Sequence, residues 1–208
     1  MSLDDIAIEV LSCKKCQLSK LRLNPVPGEG NPNAEIMFIG EAPGAKEDMI
    51  GKPFVGAAGK LLDTMINEVL GIRRKDVFIT NVVKCRPPNN RDPLPEEIRT
   101  CSTYLISQIQ EIKPRVIVTL GRHSTSFIFS SSGISFANIT SVRGKFHQVK
   151  FYELKIKVFP TYHPAAALYN PSLREIIRQD FLKIKEEINS KTFTIDQFFD
   201  KDGSTNQR

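Results

Sequence analysis

The sequence predicts an α/β protein in which a parallel sheet is flanked by helices. Three observations predict it. Four β-leaning apolar segments are spaced widely along the chain: 35–40 (EIMFIG), 77–83 (VFITNVV), 115–121 (RVIVTLG) and 156–162 (IKVFPTY). The first three are nearly continuous apolar runs, as expected of strands covered on both faces. Segments of helical periodicity lie between them, and helix–strand alternation is the mark of a parallel sheet with crossover helices.

Taken in order, residues 4–12 read as a short helix. Residues 23–33, rich in Pro, Gly and Asn, read as a loop. In 59–70, Leu61, Leu62, Met65, Ile66 and Val69 share one helical stripe. Residues 95–112 begin with Pro and two acids, a sound helix start. Residues 173–189 read as a closing amphipathic helix. The tail from 191 to 208 ends in a polar run and is expected to be partly disordered. The 208 residues suit a single domain over 1–190, large enough to bury a core without staples.

Composition narrows the function classes. Hydrophobic residues make up 40% and charged residues 25%, ordinary for a soluble globular protein. No apolar run reaches the roughly 18 residues of a membrane span. The acidic start Met1-Ser-Leu-Asp-Asp lacks the basic-then-apolar pattern of a secretory signal, so a cytoplasmic location is expected. The formal net charge of +6 hints at an anionic partner, nucleic acid above all.

Four cysteines leave none odd. Cys13 and Cys16 form a C-x-x-C that can present two thiolates to one metal centre, with Cys85 and Cys101 brought in by the fold. Four thiolates suit zinc or an iron–sulfur cluster. Two disulfides or a C-x-x-C redox pair are the alternatives.

In open α/β sheets, ligands bind beyond the carboxyl ends of the strands. The segments after the predicted strands bring Glu41, Asn81 and His163 to one rim from three different strands. Singly, each has a bland reading: a solvated acid, a strand-end amide, a packed histidine. Together they outline a catalytic pocket. Phe54 lies in the glycine-framed loop 51–59, a candidate stacking platform for a planar ring if it does not simply pack inward. That loop lacks the Gly-Lys-[Ser/Thr] ending of a Walker A loop, and no G-x-G-x-x-G follows a strand.

The motifs Gly40-Glu-Ala-Pro-Gly, Gly51-x-Pro-Phe-Val-Gly-x-x-Gly, Thr80-Asn-Val-Val-Lys-Cys-Arg-Pro-Pro and His163-Pro, with the four cysteines set among them, resemble the family 4 uracil-DNA glycosylases, the iron–sulfur members of their superfamily. The resemblance spans roughly residues 10–185. It implies a three-layer α/β/α sandwich with a four-stranded parallel sheet, a [4Fe-4S] cluster on Cys13, Cys16, Cys85 and Cys101, and hydrolytic release of uracil from DNA, leaving an abasic site. It further implies that Glu41 serves the water nucleophile and that Phe54 stacks on the flipped base. Asn81 would read the polar edge, His163 would sit at O2, and the backbone of Ala42 and Pro43 would touch the ring. Family 1 enzymes carry an Asp and a Tyr where this chain has Ala42 and Gly44, so the carboxylate must come from Glu41, and Glu47 is the candidate for thymine exclusion.

Leu168 or Tyr169 is the candidate wedge into the duplex. Lys84, Arg86, Arg91, Arg143 and Lys145 are candidates for phosphate contacts. The expected partner is uracil-containing DNA, single- or double-stranded, with a sliding clamp as a candidate protein partner and a monomer as the expected state. The competing reading is a non-catalytic nucleic-acid-binding or redox protein whose cluster is its functional part. A glycosylase of wider base range is a third.

Overall fold

The structure, a computed structural model, describes residues 1–190. The expectation for the tail, residues 191–208, lies outside the described residues.

A six-stranded sheet orders the chain. Its strands are β1 (Glu29–Gly30), β2 (Ile36–Gly40), β3 (Phe78–Asn81), β4 (Val116–Leu120), β5 (His147–Phe151) and β6 (Leu154–Thr161), laid side by side as β1-β3-β2-β4-β6-β5. Neighbours within β3-β2-β4-β6 are parallel, and these are the four segments read from the sequence. The α/β expectation holds. The expectation of a four-stranded parallel sheet is corrected, because β1 and β5 add antiparallel edges and make the sheet mixed. The β1 edge needs glycine at Gly30: there φ is +134°, and a Cβ would lie 1.9 Å from the Val77 carbonyl oxygen.

The helices are α1 (Leu3–Ser12), α2 (Ala45–Ile50), α3 (Ala57–Thr64), α4 (Pro95–Ile112), α5 (Arg122–Ser131), α6 (Ile139–Val142), α7 (Ala166–Tyr169) and α8 (Ser172–Ser190). The stripe expected to form one helix over 59–70 instead leaves α3 after Thr64 and continues as a π-helical turn over Met65–Leu70. The wider turn still buries Met65, Ile66, Val69 and Leu70. Ser2 caps α1 by accepting from the Asp5 N–H. Pro95 starts α4, where Glu97 accepts from the Leu94 N–H at 2.7 Å.

Strand periodicity divides the core. Along β2, Met37 and Ile39 pack with Ile6 and Val10 of α1, Leu105 and Ile109 of α4, and Ile128 of α5. Ile36 and Phe38 point the other way, to Leu62 of α3, Ile66 of the π-turn, and Ile177, Phe181 and Ile184 of α8. All five residues of β2 and of β4 are buried, which is why both read as unbroken apolar runs. After β3 the chain crosses to the far side of β2 to form β4. That reversal opens a crevice at the carboxyl ends of the central strands.

Candidate active site

A cavity of about 340 Å³ lies at that crevice. It is lined by Glu41 from the turn after β2, Asn81 from the last position of β3 and His163 just after β6. Ala42, Pro43, Glu47 and Phe54 complete the predicted set, and all seven face the same space. Tyr169, 90% exposed, stands at its mouth next to half-exposed Leu168.

The loop carrying Phe54 is held from two sides. Val55 and Gly56 N–H both donate to Glu47 Oε1 at 2.8 Å. Arg74 donates to the carbonyls of Pro53 (2.6 Å) and Phe54 (3.4 Å) while pairing with Glu29 and Asp63. These ties hold Phe54 at φ +50°, a conformation costing of order 1–3 kcal/mol for a bulky residue. The ring is buried and stacks on His163, with centroids 5.6 Å apart. Gly59 makes room: a Cβ there would lie 1.9 Å from the Phe54 carbonyl oxygen.

Asn81 is 1% exposed, and its Oδ1 is buried with no hydrogen-bond partner. A bare buried acceptor costs free energy unless a ligand donates to it. His163 Nδ1 accepts from the Ala165 N–H at 3.1 Å, which puts the proton of the neutral ring on Nε2. Burial pushes the imidazole down to about 4, against the opposing charge of Glu47, so the ring is neutral at physiological pH. Glu41 is pushed up to about 7, first by burial and then by Asp92, with Arg122 opposing.

The sequence reading missed several groups at this rim. His123 on α5 and Asp92 before α4 bring ligand atoms within 4.8 Å of one another and of Glu41. Asn90 also lines the cavity, as does Arg91, which the sequence offers only as a phosphate contact. The signal for His123 was its place directly after β4, but its partners lie in other segments.

Lys84 is corrected outright: it is 1% exposed and cannot reach a phosphate. Its Nζ donates to Thr80 Oγ1 (2.6 Å), Gln108 Oε1 (2.7 Å) and the Asn81 carbonyl (2.8 Å), and burial depresses its pKa to about 7. Arg91 is engaged by Glu97 at 2.7 and 2.9 Å, and Arg143 by the buried Asp180. Arg86 donates to Asn90 at 2.8 Å, and Lys145 is exposed.

The thiols are free. Cys13 ends α1, Cys16 precedes a 3₁₀ turn at Gln17–Lys20, Cys85 follows β3 and Cys101 sits on α4. Arg22 Nη1 donates to Cys85 Sγ at 2.8 Å, and the Lys84 N–H to Cys101 Sγ at 3.1 Å. Burial pushes the Cys101 thiol up to about 11, so without a metal it keeps its proton. Four thiols with N–H donors aimed at two of the sulfurs fit a thiolate-bound metal centre. No described helix is long and apolar enough to cross a membrane.

Comparison with known proteins agrees with this geometry. The pattern of the Uracil DNA glycosylase superfamily matches residues 27–189. A Type-4 uracil-DNA glycosylase of Saccharolobus solfataricus is 58% identical, covering 100% of this chain and 96% of its own length. One from Sulfurisphaera tokodaii is 64% identical over 95% of this chain and 90% of its own. One from Archaeoglobus fulgidus is 54% identical over 93% and 97%. With seven rim residues on one cavity, a family pattern over residues 27–189 and type-4 relatives matching nearly the whole chain, the chain belongs to the uracil DNA glycosylase superfamily, among its type-4 members.

Proposed function

We propose that this protein flips uracil out of DNA and hydrolyses its N-glycosidic bond, releasing uracil and leaving an abasic site. The observation that carries the reading is the bare Asn81 Oδ1 at the foot of the cavity. It is an acceptor awaiting a donor such as uracil N3–H, and the same amide can donate to O4. Cytosine offers a bare N3 and an amino group instead, which leaves buried groups unpaired and is rejected.

Flipping costs a few kcal/mol in lost stacking and pairing. Stacking on Phe54 returns about 1–3 kcal/mol. Bond cleavage builds negative charge on the leaving uracil, and the Nε2–H of neutral His163 is the donor for O2. Positive charge builds on the sugar, which the Glu41 carboxylate stabilises while orienting water. The carboxylate of Glu47 fills the space beside Gly44, where a Cβ would lie 2.8 Å from its Oε2. That supports Glu47 as the group that excludes the thymine methyl. Tyr169 and Leu168 are the wedge, with Arg86 and Lys145 as phosphate contacts. Residues 1–190 act as one domain.

The thiols would hold a [4Fe-4S] cluster. The N–H donors of Arg22 and Lys84 on the Cys85 and Cys101 sulfurs support thiolate ligation there. The cluster supplies a cross-link rather than chemistry, tying Cys13 and Cys16 to the segment after Asn81.

The test is an oligonucleotide with one uracil, incubated with a brown, iron-loaded preparation and then treated with alkali. Strand scission at uracil, but not at cytosine or thymine, is expected. An uncut strand overturns the reading.

A further inference from the structure

The Glu41 carboxylate has a neighbour that the reaction as described does not use. His123 Nε2 lies 3.6 Å from Glu41 Oε2 and 3.3 Å from Asp92 Oδ2. That nitrogen is itself buried, yet aligned for a hydrogen bond to neither. Asp92 is held at that same Oδ2 by Arg122, the residue before His123, so the cluster is anchored at the start of α5. The neighbouring charges on the cavity wall are committed elsewhere. Arg91 is paired with Glu97, Glu47 accepts from Val55 and Gly56, and His163 is neutral. Among the described residues, His123 Nε2 is thus the one fully buried donor nearby without an aligned partner, while Asp92 and Arg122, paired with each other, act on Glu41 through their opposite charges.

We propose that His123 is a positioning residue for Glu41: on DNA binding its Nε2–H turns from between the two carboxylates to donate to Glu41 Oε2, holding that carboxylate ionised and aimed at the sugar. A small rotation suffices, since both oxygens are already within 4 Å. Asp92 keeps the ring in reach but repels the Glu41 charge, so the two act on Glu41 in opposite senses. Closure by DNA excludes water, which otherwise solvates the carboxylate, and makes a donor there worth more. Burial has already raised Glu41 to about 7, where a modest push in either direction alters its ionised fraction most.

The inference rests on reading Glu41 as the reacting carboxylate. The experiment measures single-turnover uracil release across pH for wild type, His123→Phe, His123→Gln, Asp92→Asn and Glu41→Gln. The ionised carboxylate is the active form, so the wild-type rate rises with pH through an acid limb. His123→Phe keeps the ring's bulk and loses the donor. Its limb is expected to move up by about one pH unit, a roughly tenfold loss on the acid side that closes toward alkaline pH. His123→Gln, with an amide donor, restores most of the shift. Asp92→Asn, at an exposed side chain, moves the limb down. Limbs that all superimpose, or a loss by one constant factor at every pH, overturn the inference. Full activity of Glu41→Gln removes Glu41 from the chemistry and the proposal with it, which separates failure of the earlier reading from failure of this one.

Discussion

Gly40 ends β2 with its α-carbon against Asn81 and Phe54, the groups proposed to read and stack on the base. Its backbone is ordinary strand, so alanine there meets no conformational penalty. What it meets is the pocket. A Cβ would lie 2.4 Å from Asn81 Oδ1 and 2.7 Å from Phe54 Cζ, where ordinary contact begins near 3.4 Å. Asn81 must therefore retreat by about 1 Å, or the Phe54 ring must tilt by a comparable amount. Phe54 is pinned by Glu47, Gly59 and Arg74, so most of the displacement falls on Asn81. A misplacement of that size costs about 10²-fold in rate, or roughly 2.7 kcal/mol of transition-state stabilisation. Overpacking costs the fold only about 1–3 kcal/mol, so the variant remains folded. The assay is single-turnover uracil release by Gly40→Ala beside circular dichroism of the same preparation. A folded variant within threefold of the wild-type rate would show that the Asn81–Phe54 spacing does not set the reaction.

Two other predictions concern buried bases. His163 has its imidazole pKa depressed, so its contribution to stability is complete above about 6.5 and is lost as pH falls toward about 4. NMR should find the ring neutral and protonated on Nε2 at pH 7, and titration at the ordinary histidine value refutes this. Lys84→Met leaves acceptors on Thr80, Asn81 and Gln108 short of a donor, which costs about 2–3 kcal/mol and lowers the melting temperature by roughly 5–10 °C. An unchanged melting temperature would mean that those acceptors do not depend on the lysine.

The sequence was most legible where one physical rule acts alone. Strands β2 and β4, buried on both faces, can only be apolar runs, and α4 announces itself with Pro95 and its acids. Edges were harder. β5 alternates exposed and buried residues over five positions, a pattern too short to separate from a loop, and β1 is two residues held by pairing to β3. α5 is rich in serine and threonine and shows little apolar stripe. The rim residues Glu41, Asn81 and His163 were legible because each lies at the end of a strand or just past it. Lys84 was misread because a lysine is ordinarily a surface charge. Its burial is licensed by Gln108, 24 residues away, and by Thr80 in the preceding strand. The grouping of Asp92 and His123 with Glu41 likewise depends on tertiary distance alone.

The two-sided hold on the Phe54 loop has a thermodynamic reach beyond geometry. Because Glu47 and Arg74 fix that loop through contacts within the chain itself, the entropy of ordering it is spent when the chain folds, not when a base arrives. The slot therefore behaves as a fixed gauge. On the proposed reading, each base swung out of a duplex would be measured against a width already decided, and a poor fit would gain nothing by deforming it. Discrimination of this kind weakens little as temperature rises, since no floppy segment has to be captured again at every encounter.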